Sequence, residues 1–233
     1  MRRFISILLV AVLWGITDAH AQKFFKNDEN YIGFRLGLNS SNLSFSGFDT
    51  DKSSLTGINI GVVYGMLLSD DMPIYFEPGV LISSKGVKIN HRYILHSFQN
   101  DVEMNASEEQ EQMRTRLTYL EVPFVFKYKI EEIADDLSVQ PFLGGFLAVG
   151  LGGKTKYYDT REKLNSFRSG AFRPFDAGIR LGCGVAYRNL YFDLSYDWGL
   201  ANVASNKFSD FGYDEFDDAI RTRNLSFTFG LDF

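Results

Sequence analysis

Two histidines, His91 and His96, sit in a polar stretch of the chain, and carboxylates stand in other polar stretches at Asp49, Asp51, Asp214 and Asp217. A histidine held against such a carboxylate can activate water as a general base, which is the chemistry of a surface protease. A lipid hydrolase or acyltransferase working from inside a bilayer needs a histidine and a serine on an apolar strand face, and no apolar-face position here carries a histidine. Histidines and aspartates are common in solvated loops. The sequence therefore assigns no catalytic, cofactor-binding or metal-ligating residue, and the expectation is a protein that is not an enzyme. The alternative is an enzyme acting on lipid or peptide through these loop His and Asp residues.

Three charge groupings remain. Asp193 and Asp197 lie on one face of an alternating segment and are expected to pair with Arg180, Arg35 or Lys127 rather than to act as paired acids. Asp210, Asp214, Glu215, Asp217 and Asp218 crowd a late polar stretch that offers oxygen ligands to a divalent cation but lacks the fixed spacing of a calcium loop. Lys154, Lys156, Arg161, Lys163 and Arg168 make another stretch basic, suited to lipopolysaccharide phosphates or to the acidic stretch. Cys183 is the single cysteine, so no internal disulfide forms, and it reads as a small apolar strand residue.

The elements that must carry these groups follow a period of two. Phe34, Leu36 and Leu38 alternate with Gly33, Arg35, Gly37 and Asn39, and in a strand such residues face opposite sides. The pattern recurs around Ile58–Leu68, Phe76–Ile82, Leu120–Tyr128, Val139–Leu151, Phe175–Val185, Leu190–Leu200 and Leu225–Phe233. That makes eight segments, each about the length of a tilted membrane strand. Long polar connections at 40–56, 86–116, 153–172 and 203–221 alternate with short ones near 70–71, 131–136 and 188–189. Residues 107–112 suit either a short capped helix or an extension of a hairpin.

The polar face shows which side is wet. It is rich in glycine and carries charges of both signs at Arg35, Glu77, Lys85, Glu121, Lys127, Asp176, Arg180, Asp193 and Asp197. Glycine weakens a strand, so a solvent-facing surface has little use for it. The interior of an eight-stranded barrel is just wide enough for side chains to fill, and glycine there makes room for long charged groups. Aromatics on the apolar face gather near segment ends: Phe76, Tyr128, Tyr187, Phe192 and Phe233 toward the short turns, Phe175 and Trp198 toward the long connections. Two aromatic belts around an aliphatic band mark membrane interfaces. The expected fold is all-β: an eight-stranded antiparallel up-and-down transmembrane β-barrel with four long extracellular loops.

The chain has 233 residues, 45% hydrophobic and 23% charged, with net charge -5, which disfavours a nucleic-acid partner. No internal run approaches the roughly 20 apolar residues of a spanning helix. At the start, Arg2 and Arg3 precede an apolar run over 4–16 and then Ala19-His20-Ala21, the form of a cleavable signal peptide. Residues 1–21 are thus expected to be removed and 22–233 to form the barrel domain.

Four groups of residues stand out: Gly33-Phe34-Arg35-Leu36-Gly37-Leu38-Asn39, Phe76-Glu77-Pro78-Gly79 with Ser84-Lys85-Gly86, Tyr119-Leu120-Glu121-Val122-Pro123 with Lys127-Tyr128, and Pro141-Phe142 with Gly144-Gly145. On these residues the chain resembles, over 31–233, the PorT-like outer-membrane β-barrel family of Bacteroidetes. A terminal Phe233 after Phe227, Phe229 and Leu231 is similar to the signal read by the outer-membrane assembly machinery. The resemblance implies residence in the cell outer membrane, contact with its lipid and lipopolysaccharide, and a docking, envelope or type IX secretion role with a surface or secretion-system partner. A solute channel is disfavoured, because a side-chain-filled lumen leaves no aqueous path.

Overall fold

The computed structural model describes residues 30–45, 52–69, 71–99, 102–134, 136–157, 163–165, 167, 172–203 and 220–233. Among the described residues ten strands follow one another: β1 Tyr31–Phe45, β2 Lys52–Leu67, β3 Ile74–Gln99, β4 Val102–Tyr128, β5 Ile130–Ala134, β6 Leu137–Tyr157, β7 Lys163–Asn165, β8 Phe175–Tyr187, β9 Leu190–Gly199 and β10 Ile220–Asp232. Eight of them close a ring of antiparallel neighbours, β1-β2-β3-β4-β6-β8-β9-β10, with β10 returning to β1 and β4 pairing β6. β5 and β7 are short additions paired to β6 at opposite ends. Closure of the eight-stranded ring leaves no unpaired edge around it, the condition for strands to cross hydrocarbon. The expected eight-stranded up-and-down barrel is the observed fold.

The alternation lies as the sequence pattern requires. Phe34, Leu36 and Leu38 point outward and are more than half exposed, while Arg35 and Asn39 on the alternate face are buried inside. Ile58, Ile60, Val80, Ile82, Leu143, Leu147, Leu181, Leu194 and Phe227 extend the same exposed apolar band around the wall. Phe175 and Trp198 border it toward the long connections, and Tyr128, Tyr187 and Phe233 toward the short turns, all outward. Cys183 is likewise outward between Leu181 and Val185. The short turn after β8 places Arg188 at φ 53°, a left-handed value of the kind two-residue hairpin loops need at their first central position.

Two expectations change. Residues 107–112, open between a helix and a hairpin extension, belong to β4: β3 and β4 stay paired as far as Gln99 opposite Val102. Much of the first two long connections is therefore strand rather than loop. The short connection at 131–136 also contains strand, because Ile130–Ala134 turns back onto β6.

Candidate functional site

The lumen brings the inward charges together in two groups. At the short-turn end, Arg35 on β1 pairs with Glu77 on β3 at 3.0 Å and with Asp232 on β10. Lys127 on β4 reaches the same Glu77 at 2.8 Å, and the Tyr31 hydroxyl donates to it at 2.6 Å. Tyr191 on β9 lies under both cations, its ring centroid 4.3 Å from the Arg35 guanidinium carbon and 4.1 Å from Lys127 Nζ. Lys127 also donates to the Tyr191 hydroxyl at 2.9 Å.

Nearer the long connections, Arg180 on β8 grips Asp197 with Nε at 2.6 Å and a terminal nitrogen at 2.9 Å, and that nitrogen also meets Glu121 at 2.5 Å. Lys85 stands 2.7 Å from Glu121, 3.8 Å from Asp197 and 3.9 Å from Asp176. The Lys85–Glu121 contact is ionic, without the angles of an ordinary hydrogen bond. Asn224 donates to Asp197 and Thr222 to Asp176, so neutral donors help to hold the carboxylates. Two cations thus face three carboxylates in an enclosed space where ion pairs form only with satisfied geometry.

Between the groups lies a space of about 40 Å³, lined in part by Asp193, Ser195, Ser226 and Thr228. It is large enough for water and too small for a solute. Above the second group Leu43, Val87, Leu117, Tyr119, Phe146, Phe172, Val203 and Ile220 pack into an apolar plug. Ion pairs, rings and plug together fill the bore. Negligible single-channel conductance is expected in planar bilayers, and reproducible openings of porin size would contradict this arrangement.

Asp197 pairs with Arg180 as expected, but Asp193 does not pair with Arg180, Arg35 or Lys127. Among the described residues no cation stands within 4 Å of it, because Glu77 takes both Arg35 and Lys127 while Arg180 reaches up the barrel to Glu121 and Asp197. Asp193 faces the central space instead.

The sequence reading also missed the inward aromatics Tyr119, Phe142, Phe146 and Tyr191. Parity carried the signal: Phe142 and Phe146 are in step with Gln140, Gly144 and Ala148, and Tyr191 with Asp193. Glycine accordingly makes room for rings as well as charges. A Cβ at Gly182 would overlap the Phe142 ring, and one at Gly184 the Tyr191 ring, whereas Gly33 and Gly230 clear space for Arg35.

His91 and His96 fall on the β3–β4 hairpin opposite Glu111 and Ala106, but their side chains lie outside the described residues. So do Asp49, Asp51, Asp214 and Asp217, the rest of the acidic stretch (Asp210, Glu215 and Asp218), and Arg161 and Arg168. Among the described residues no group of three His, Cys, Asp or Glu side chains is placed to hold a metal ion.

The sequence matches the outer membrane protein beta-barrel domain family over residues 21–205, most of its length. The chain belongs to that family. This outer membrane β-barrel is similar in fold to the attachment invasion locus protein Ail of Yersinia pestis, solved with the heparin analogue sucrose octasulfate, at 15% identity and TM-score 0.40 over 88% of this chain and 99% of that one. It is similar also to the Neisserial surface protein A, at 14% identity and TM-score 0.41 over 88% and 98%. A major outer membrane protein of Thermus thermophilus matches at 14% identity and TM-score 0.44 over 88% and 99%. Comparison with curated proteins gives no match. The protein resides in the outer membrane, and its apolar outer wall is the surface that meets lipid.

Proposed function

We propose that this barrel is a non-enzymatic scaffold that displays its long connections, above all the β3–β4 hairpin, outside the cell for docking a protein partner. The observation that carries the reading is the reach of that hairpin. On β3 the outward apolar positions end near Ile82, yet pairing with β4 continues to Gln99. The last ten or so residues of β3 and the first ten or so of β4 add about 30 Å at the rise of a β-strand. A filled bore cannot transport, whereas a closed wall is a rigid support for a projecting element. In this reading residues 1–21 are a removed signal peptide and the terminal Phe233 addresses the chain to the assembly machinery. The resemblance to PorT-like barrels makes a secretion-system or envelope component one class of partner.

The test combines orientation with removal of the hairpin. Protease added to whole cells is expected to cut within 89–112 and leave a membrane-protected core. Cleavage confined to the turns near Asp71 or Arg188 would show the barrel inverted. A chain in which 90–112 is replaced by a short Gly-Ser turn is expected to reach the outer membrane and shift its gel mobility on boiling, but to lose its surface cross-links to other proteins. Retention of those cross-links would remove the docking role from the hairpin. His91→Ala with His96→Ala is expected to leave them intact. Loss of an activity in that variant alone would favour the enzyme acting on lipid or peptide.

A further inference from the structure

We propose that the outward wall of β3, β4 and β6, just beyond the apolar band at the long-connection end, is a binding site for the phosphate groups of outer-leaflet lipopolysaccharide. The proposal uses the orientation given above but involves neither the hairpin tip nor any docked protein.

Five cations meet there. Lys88, Arg114 and Lys156 stand opposite one another in a row across the three strands, and Arg116 and Lys154 stand opposite each other in the next row toward the membrane. Arg116, Lys154 and Lys156 are exposed, and Lys88 and Arg114 partly so. Two strand spacings make the patch roughly 10 Å wide, and the rows are about 7 Å apart, a footprint on the scale of a lipid headgroup.

The lysines of β6 face outward because of a register shift. Tyr119 pairs with Gly150 but Thr118 with Gly152, so Leu151 is an extra residue on β6. Below this bulge the even-numbered residues Gln140, Phe142, Phe146 and Ala148 point into the lumen. Above it Thr155 points inward, bonded to Thr115 at 3.1 Å, and Lys154 and Lys156 point out. A bulge re-aims side chains in this way. Without it both ammonium groups would point into the barrel.

Among the described residues none of the five cations has a carboxylate within ion-pair distance. Arg116 donates to the Thr56 carbonyl at 3.4 Å, and among the described residues Arg114 Nε is buried without a partner. At the short-turn rim cations are matched instead: Lys129 pairs with Glu131 at 2.5 Å and Arg188 with Asp136 at 3.0 Å. Across the barrel at the patch's height β1 presents Ser40, Asn42 and Ser44, and Arg223 is engaged by the carbonyls of Gly199 and Thr222. Across the barrel Arg221, opposite Ser44, is a single further exposed cation, whereas five cations gather on β3, β4 and β6. Arginine and lysine in such a basic pocket at the lipid boundary are suited to headgroup phosphates.

The experiment uses the full mature barrel in phosphatidylcholine vesicles doped with diphosphoryl lipid A, with binding read from a fluorescent lipid A. Replacing all five cations by Gln is expected to weaken binding at least tenfold. Exchanging each Lys for Arg and each Arg for Lys should keep affinity within about threefold, and Lys129→Gln with Arg188→Gln should leave it unchanged. Dephosphorylated lipid A should bind no better to wild type than to the five-fold variant. Inorganic phosphate at millimolar concentration should not displace the lipid. Gel mobility with and without boiling reports folding of each variant, and if the five-fold change fails to fold, Arg116→Gln with Lys154→Gln is expected to cost at least threefold. Unchanged affinity in the folded variants, equal binding of the dephosphorylated lipid, or displacement by free phosphate would each overturn the site.

Discussion

Lys85→Met is expected to destabilise the folded barrel by about 3–5 kcal/mol, the cost of removing one partner from a buried ion network. Lys85 is enclosed on every side, with Glu121 at 2.7 Å, Asp197 and Asp176 just under 4 Å away, and the Phe146 ring centroid 4.2 Å from its Nζ. Methionine fills much of the same volume, so packing changes little and the loss is chiefly one of charge. Arg180 alone would then face Glu121, Asp197 and Asp176, and it touches only the first two. Adding Glu121→Gln should recover part of the loss, because it removes the carboxylate left without its nearest ammonium. Lys129→Met is the control: its pair with Glu131 is solvent-exposed and worth at most about 1 kcal/mol. Urea-dependent unfolding in lipid vesicles measures all three. Equal costs at Lys85 and Lys129 would mean that the lumen is wet enough to screen its charges.

Adjacent residues on β8 provide the second large effect. Ile179 is 43% exposed on the outer wall midway along the strand, opposite Trp198 and Gly145, and Arg180 points inward. Ile179→Arg is expected to cost up to about 2–4 kcal/mol, since it brings a guanidinium into the hydrocarbon around the apolar band. Arg180→Leu damages the barrel by a different route, stripping Asp197 of two hydrogen bonds and Glu121 of one. The two mechanisms separate in double variants. Asp197→Asn should partly rescue Arg180→Leu and leave Ile179→Arg unimproved, while Asp193→Asn should rescue neither. Refolding in vesicles reads the energies, and rescue of Ile179→Arg by Asp197→Asn would place residue 179 in the lumen.

The short motifs at 33–39, 76–79, 84–86, 119–123, 127–128 and 141–145 explain why so much of this fold was legible. Arg35, Glu77, Lys85, Tyr119, Glu121, Lys127 and Phe142 all lie within those short motifs, and all point into the lumen, where they make the ion pairs or ring contacts. Alternation alone settles which face each takes, because a strand offers two choices. It does not settle who pairs with whom across the bore. That depends on the stagger between strands, so Asp197 found Arg180 while Asp193, two residues away, met open space. A single extra residue at Leu151 reverses the face of everything beyond it on β6, and the flanking Gly150, Gly152 and Gly153 are the mark it leaves in the sequence. The basic residues at 154 and 156 were visible as charge, but their direction was not. The hairpin at 86–116 reads as loop because residues 99–112 are largely polar, although Val87, Ile89, Tyr93 and Leu95 on the β3 half keep a period of two.

The inside-out wall is tested most directly by the environment of successive residues on β10. In a Cys183→Ala background, single cysteines at 224 through 229 would carry spin labels in the vesicle-embedded barrel. Accessibility to lipid-dissolved oxygen should be high at 225, 227 and 229, where Leu225, Phe227 and Phe229 face outward, and low at 224, 226 and 228, where Asn224, Ser226 and Thr228 face the bore. High values at the even positions and low ones at the odd would contradict the membrane barrel and favour a soluble one with an apolar core.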